Sequence, residues 1–193
     1  GMSLNNLAWL YQAQGRYNDA EPLYKRALAN KKKALGPAHP DVAGSMSNLA
    51  KLYRSQERYK IAEPLFERSL VIKENAFGPE HPSIAGIKNE LAELYREQGR
   101  YAEAEPIYKR SLAIREKALR PEHPDVAASL ANLAKLYRSQ GQYPNALEWI
   151  RRSTTILRHR FTAQGVQESK GLLSEQREAK SNFFTHIDLA LHP

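Results

Sequence analysis

Apolar positions recur along this chain at steps of three and four residues, and the whole pattern repeats every 42 residues. These steps are typical of amphipathic helices, whose apolar side chains line one face. Four copies of one phrase carry the period, and they read LAWLYQAQGRY from Leu7, LAKLYRSQERY from Leu49, LAELYREQGRY from Leu91 and LAKLYRSQGQY from Leu133. A period of roughly 20 to 50 residues indicates stacked repeats that bury a continuous core between neighbours.

Each repeat predicts two helices, which the third copy shows most clearly. The apolar positions of its first helix are Ile84, Ile87, Leu91, Leu94 and Tyr95. Gly99 ends this helix, and Tyr101 opens a second one that runs to Leu119. The connector that follows contains two prolines and stops the second helix. Asp125 is the predicted N-cap of the next first helix, because its side chain can accept an unpaired backbone N–H.

Four such repeats, the first incomplete at its start, occupy residues 2–161. A loop is predicted at residues 162–167, and a final amphipathic helix at residues 168–191. The apolar face of that helix carries Leu172, Ala179, Phe183, Ile187 and Leu191. The helix either caps the last repeat or connects the array to another domain or subunit.

Composition and charge restrict the function classes. The chain has 29 Lys and Arg against 21 Asp and Glu, a net charge of +8 that favours acidic partners. Cysteine is absent, which excludes disulfides, thiolate metal sites and cysteine nucleophiles. No apolar run reaches the length of a membrane span and no signal peptide opens the chain, so we expect a cytoplasmic protein without membrane contact.

The sequence offers little chemistry for catalysis. His39, His81 and His123 occur once per repeat, each before a proline, so they form a spaced row and cannot converge on one metal ion. Phosphate-binding loops and nucleophile motifs are missing from the sequence. We therefore expect no enzyme activity, no cofactor and no metal.

The repeated motifs resemble the tetratricopeptide repeat, in the 42-residue form of kinesin light chains. The match runs from Leu4 to Phe161 and includes N-L-A-x-L-Y at residues 6–11, 48–53 and 132–137, the G-x-Y break, A-E-P in the second helix and G-P-x-H-P between repeats. The resemblance implies an all-α, right-handed superhelical solenoid whose first helices line a concave groove. It also implies a non-catalytic module for protein–protein interaction.

Helical spacing places three polar positions of every first helix on one face, away from the Leu-Ala-Tyr packing face. This face is the predicted peptide-binding groove, and its candidate residues are Asn6, Asn48, Glu90 and Asn132, then Trp9, Lys51, Glu93 and Lys135, then Gln12, Arg54, Arg96 and Arg138. Asn can pair with any peptide backbone, and Arg or Lys with carboxylates. The lining therefore favours an acidic peptide, although Glu90, Glu93 and Glu97 make the third level acidic. Trp9 either anchors a peptide or packs on an upstream helix.

The sequence is also compatible with other functions. The array could be a regulatory or substrate-recruiting arm of a larger signalling enzyme, because the stretch from Ser174 to Leu191 is similar to the connector in tetratricopeptide proteins that carry a caspase-like CHAT protease domain. The incomplete first repeat could form a homodimer through its exposed apolar side. Nucleic-acid binding is disfavoured, since aromatic and basic residues are hardly interleaved.

Overall fold

The computed structural model describes residues 3–163, without the side chains of residues 160–163. This part of the chain contains eight α-helices: α1 (Leu4–Ala13), α2 (Tyr17–Leu35), α3 (Pro40–Ser55), α4 (Tyr59–Phe77), α5 (Pro82–Glu97), α6 (Tyr101–Ala118), α7 (Pro124–Ser139) and α8 (Tyr143–Ala163). Because α8 continues to Ala163, it includes the start of the predicted loop. The rest of that loop and the predicted helix at 168–191 lie outside the described residues.

The chain divides into two compact units, Gly1–Gln98 and Gly99–Pro193. In the first unit, every helix from α1 to α5 packs on the next one along the chain. In the second unit, α6 packs on α7 and α7 packs on α8. The predicted all-α organisation in consecutive helix pairs is therefore confirmed for the described residues.

The first helices of repeats two to four begin at a His-Pro pair. His39, His81 and His123 have extended backbones, and the proline that follows each is the first helical residue. Proline disfavours the helical conformation in the residue before it, and that extended conformation is the one an N-cap adopts. His123 Nδ1 accepts the backbone N–H of Asp125 at 3.1 Å. The prediction of Asp125 as N-cap was therefore wrong, since this residue already lies in the first turn.

The turn inside each repeat requires a left-handed residue. Gly15, Gly99 and Gly141 have φ angles of 73°, 72° and 72°, and Glu57 takes the equivalent place in repeat two at 56°. The second helix then begins at a tyrosine in every repeat, which confirms the predicted start at Tyr101 in repeat three. In repeat three this helix ends at Ala118, one residue before the predicted Leu119, which serves as the C-cap.

Small and large residues alternate in the core at fixed positions of each repeat. The small ones are fully buried and let helix backbones approach closely; they are Ala8, Ala20, Ala50, Ala62, Ala92, Ala104, Ala134 and Ala146. The large ones fill the remaining space and are buried to a similar degree; they are Tyr24, Phe66, Tyr108 and Ile150. This packing uses one face of each first helix and leaves the opposite, polar face outside the core.

Candidate functional site

The candidate site is the polar face of the first helices. In the first unit, α3 contacts both α1 and α5, so their polar faces are neighbours. On α3, Asn48, Lys51 and Arg54 are partly exposed, whereas Leu49 and Leu52 are buried. The predicted groove residues therefore share one face of their helices, with the packing residues on the other.

Ion pairs join α3 to α5 across this face. Arg54 Nη1 lies 2.7 Å from Glu90 Oε2, and Lys51 Nζ lies 3.3 Å from Glu90 Oε1. Arg54 Nε is also 3.7 Å from Glu97 Oε2. The side chains of Arg54 and Glu90 are 21% and 27% exposed, so water screens this pair less than a fully exposed one. The basic side chains of α3 thus have carboxylate partners within the same unit.

A second ion pair lies within α5 itself. Arg96 donates to Glu93 through two nitrogens, Nε at 3.0 Å and Nη2 at 2.7 Å. This bidentate geometry is the strong form of an arginine–carboxylate contact. On the polar face of the first unit, the three cations are therefore balanced by the three carboxylates of α5. The sequence shows the charge bands, but only the structure shows that they pair with each other.

On this face, the folded structure raises the pKa of Glu97. Burial raises the pKa of Glu97 most, and the nearby negative charges of Glu93 and Glu90 act in the same direction. The positive charges of Arg54 and Arg96 oppose that rise. Ionised Glu97 is therefore less favourable in the folded unit than in the unfolded chain, and it lowers the stability of that unit.

The polar face of α1 combines engaged and available side chains. Gln12 Oε1 accepts the hydroxyl proton of Tyr24 at 3.1 Å, and its amide nitrogen lies 3.4 Å from Ser55 Oγ. Gln12 is thus turned toward the rest of the unit. By contrast, the side chains of Asn6 on α1 and of Asn48 on α3 form no hydrogen bond within residues 3–163. Trp9 is 64% exposed, and the proposal of a peptide anchor there stays a prediction.

In the second unit, α7 carries the remaining three predicted groove residues. Lys135 and Arg138 are exposed, and Asn132 is partly exposed. None of the three side chains forms a hydrogen bond or ion pair with another residue among those the structure describes. Within the part of the chain that the structure describes, α7 is therefore the first helix whose two candidate cations and amide all lack a partner.

Glutamates of the A-E-P motif fix the first helix of the following repeat. Tyr137 on α7 donates its hydroxyl proton to Glu105 Oε1 at 2.8 Å, and Lys109 Nζ lies 2.7 Å from the same oxygen. The equivalent Tyr53 donates to Glu21 Oε1 at 3.0 Å. The hydrogen bond from Lys109, and then that from Tyr137, lowers the pKa of Glu105, while burial raises the pKa of Tyr137.

These glutamate–tyrosine bonds are not among the contacts predicted from the sequence. Their signal is present, since Glu21 and Tyr53 have the same separation as Glu105 and Tyr137, and each pair occupies equivalent positions of the repeat. Tyr137 directly precedes Arg138 in the sequence, so the bond anchors the helix that carries Asn132, Lys135 and Arg138. These contacts therefore position the candidate site, although they do not line it.

Metal binding and membrane insertion find no support in the described residues. Within residues 3–163, no three His, Asp or Glu side chains are grouped so that they could hold a metal ion. None of the helices in that range is long and apolar enough to cross a membrane. The face instead offers amides and fixed charges, which can pair with an extended backbone and with the charged side chains of a ligand.

Family models and solved structures are similar to this chain. A model described as tetratricopeptide repeat matches residues 1–75 and 83–159, and a second one with the same description matches residues 47–118. The crystal structure of BtubC (BKLC) from P. vanneervenii is 26% identical, covers 96% of this chain and 75% of its own, and has a TM-score of 0.72.

Two crystal structures of the candidate kinesin light chain of Podosopora anserina, described by its nearly identical TPR-like repeats, are also similar. One of them, from a variant of that protein, is 30% identical, with 95% of this chain and 84% of that chain covered and a TM-score of 0.71. The other is 27% identical, with 97% and 93% covered and a TM-score of 0.71. These likenesses confirm the predicted solenoid fold class and the resemblance to kinesin light chain-type repeats.

A curated relative matches a much shorter stretch. A nucleotide-binding leucine-rich repeat (NLR)-like protein of Hyaloscypha variabilis is 51% identical over 43 residues. These residues are 22% of this chain and 4% of that protein, so the shared part is about the length of one repeat.

Proposed function

Because the chain belongs to the tetratricopeptide repeat family, we propose that it is a non-catalytic module that binds an extended segment of a partner protein on the polar face of its first helices. Repeat stacks of this kind bind other proteins along their surfaces. The proposal is carried by Asn132, Lys135 and Arg138 of α7, whose side chains have no partner among the described residues. A rigid helix that presents an amide and two cations fits a peptide backbone next to a carboxylate.

The preferred ligand on α7 has an acidic residue. Lys135 and Arg138 are one helical turn apart on one face, so both can approach the same carboxylate or two neighbouring ones. Neither cation has a competing carboxylate within the described residues. Asn132 lies one turn further toward the start of α7, where it can pair with the main chain of the same segment.

A pull-down from the source cell with matched charge reversals tests this proposal. One variant carries Lys135→Glu and Arg138→Glu, and the control carries Arg26→Glu and Arg68→Glu on the exposed side of second helices. Both variants change the net charge equally, so only the place of the change differs. We expect the α7 variant to lose the partner, with an affinity at least about tenfold weaker for the purified pair, which is roughly 1.4 kcal/mol.

Retention of the partner by the α7 variant contradicts the proposal. Loss in both variants indicates attraction by overall charge, which also contradicts binding at α7. Circular dichroism of both variants establishes that the helices are intact before either result is used.

A second function, as a recruiting arm of a larger signalling protein, is favoured by the relative from Hyaloscypha variabilis. That protein is described as nucleotide-binding and NLR-like, and it shares 51% identity over 43 residues with this chain. The coding sequence on both sides of the present residues tests this alternative. An in-frame nucleotide-binding or protease-like domain supports it, and stop codons that flank the repeats on both sides rule it out.

A further inference from the structure

The third repeat differs from its neighbours at three positions of the polar face. Where repeats two and four have Asn, Lys and Ser, repeat three has a glutamate each time; these are Glu90, Glu93 and Glu97. All three changes add a carboxylate to one face of α5. Packing does not require them, because the positions lie outside the buried face of the helix. They therefore change the charge of the polar face of α5 and leave its packing face as it is in the other repeats.

Glu90 pairs with both cations of the polar face of α3. Its two carboxylate oxygens divide between the two cations, with Oε2 at 2.7 Å from Arg54 and Oε1 at 3.3 Å from Lys51. A peptide carboxylate that approached the same pair would have to displace Glu90. It would also meet the negative charges of Glu93 and Glu97 on the same helix.

We propose that Glu90 acts as an internal substitute for a ligand carboxylate and excludes acidic side chains from α3. This inference rests on the proposed function. It also determines which helices of the polar face can bind an acidic side chain of the ligand. An acidic residue of the partner binds at Lys135 and Arg138 in the second unit. On the first unit, the side-chain amides of Asn6 and Asn48 have no hydrogen-bond partner among the described residues and favour a neutral ligand.

The chain supplies the natural substitution that tests this role, because the equivalent residue of repeats one, two and four is asparagine. Glu90→Asn removes the carboxylate and leaves Arg54 and Lys51 in place. The matched control is Glu74→Asn, which removes a carboxylate of the same unit that pairs with Lys88 on a different face. A further variant combines Glu90→Asn with Arg54→Ala.

Fluorescence anisotropy with a fluorescein-labelled oligoglutamate peptide measures the effect on the full chain at low salt. We expect Glu90→Asn to bind this peptide roughly fivefold more tightly than the parent, the factor that corresponds to about 1 kcal/mol. Glu74→Asn should change the affinity by less than about twofold, as expected for a charge that is distant and screened. Adding Arg54→Ala should remove the gain.

Equal binding by Glu90→Asn and Glu74→Asn, including no binding by either, overturns the inference. A gain that survives Arg54→Ala overturns it too, since the gain would then not depend on the cation with which Glu90 pairs. Glu90→Gln repeats the measurement with a side chain of the original length, in case asparagine perturbs α5.

The same assay separates this inference from the proposed function. If Lys135→Glu with Arg138→Glu leaves the parent affinity unchanged, while Glu90→Asn still gains, the ligand site on α7 fails and the role of Glu90 stands. If the α7 variant loses affinity and Glu90→Asn gains none, the proposed function stands and the role of Glu90 fails.

Discussion

The bond between Glu105 and Tyr137 offers a direct test of how α7 is held in the second unit. Glu105→Gln replaces a carboxylate with an amide of the same shape. The variant keeps one oxygen that can accept the Tyr137 hydroxyl, but it loses the negative charge that also pairs with Lys109. Glu122→Gln, at an exposed position of the preceding connector, is the control for the same chemical change.

The magnitude follows from the exposure and partners of Glu105. A hydrogen bond to a charged group contributes about 1.5–3 kcal/mol, and the amide oxygen of Gln recovers part of this. The Lys109 side chain is 51% exposed, and such i,i+4 pairs contribute about 0.3–0.5 kcal/mol. We therefore expect Glu105→Gln to lower the free energy of unfolding by about 1–1.5 kcal/mol, and Glu122→Gln to have almost no effect.

Trp149 provides the local probe for this measurement. Its ring is stacked on Tyr137, with ring centroids 6.4 Å apart and planes within 1° of parallel. Urea unfolding followed by Trp149 fluorescence, in a Trp9→Phe background, therefore reports on the unit that contains the bond. The folded state lowers the pKa of Glu105, so its contribution to stability is present above the unfolded-state pKa and is lost as the pH falls through the folded-state value.

The difference between Glu105→Gln and the parent should accordingly stay constant from neutral pH down to the ordinary glutamate pKa of about 4.3, and shrink as the pH falls below it. An unfolding free energy equal to that of the parent at neutral pH refutes the reasoning. A difference that stays constant below about pH 4.3 refutes it as well, because the carboxylate would then not be the source.

Three further substitutions have defined outcomes. Glu57→Gly should raise the unfolding free energy by about 0.5–1 kcal/mol, because glycine removes the cost of the left-handed backbone at this position. The greater entropy that glycine has in the unfolded chain offsets part of this gain. Chemical denaturation checks the prediction, and a decrease contradicts it. Glu97→Gln should stabilise the first unit at neutral pH and lose this advantage in acid, because burial raises the pKa of Glu97 in the folded state; thermal unfolding across pH values checks it, and destabilisation at neutral pH contradicts it. Phe66→Ala should cost about 3–5 kcal/mol, because the ring is fully buried; a loss under about 1 kcal/mol in urea unfolding contradicts close packing there.

The helices of the described residues could be predicted from the sequence because the same apolar pattern occurs in four copies. Tyr101 as the start of a second helix was correct, and the helix end at Leu119 was in error by one residue. Asp125 was taken as N-cap because Asp is among the preferred residues there. The proline between His123 and Asp125 decides the position instead, since it fixes the extended backbone on His123.

The periodic pattern also predicts which residues share the polar face, but it cannot predict their partners. Glu90 stands out in the sequence as a glutamate in a row of asparagines. Whether it turns to Arg54 on α3 or toward solvent depends on side-chain rotamers and on the distance between two helices, which no repeat period encodes. For the same reason, the sequence gives no sign that Gln12 is engaged by Tyr24 while Arg138 has no partner in the described residues.

Site-specific photo-cross-linking tests the central proposal, binding on the polar face of α7, most directly. A benzophenone amino acid at position 139 lies at the end of α7, beside Lys135 and Arg138 but without replacing either, and the control position is Thr155 on the exposed side of α8. In source-cell lysate, we predict a discrete cross-linked partner from position 139 that disappears when Arg138→Glu is added, and none from position 155. Cross-links from position 155 alone, or equally from both positions, would contradict binding on the first-helix face.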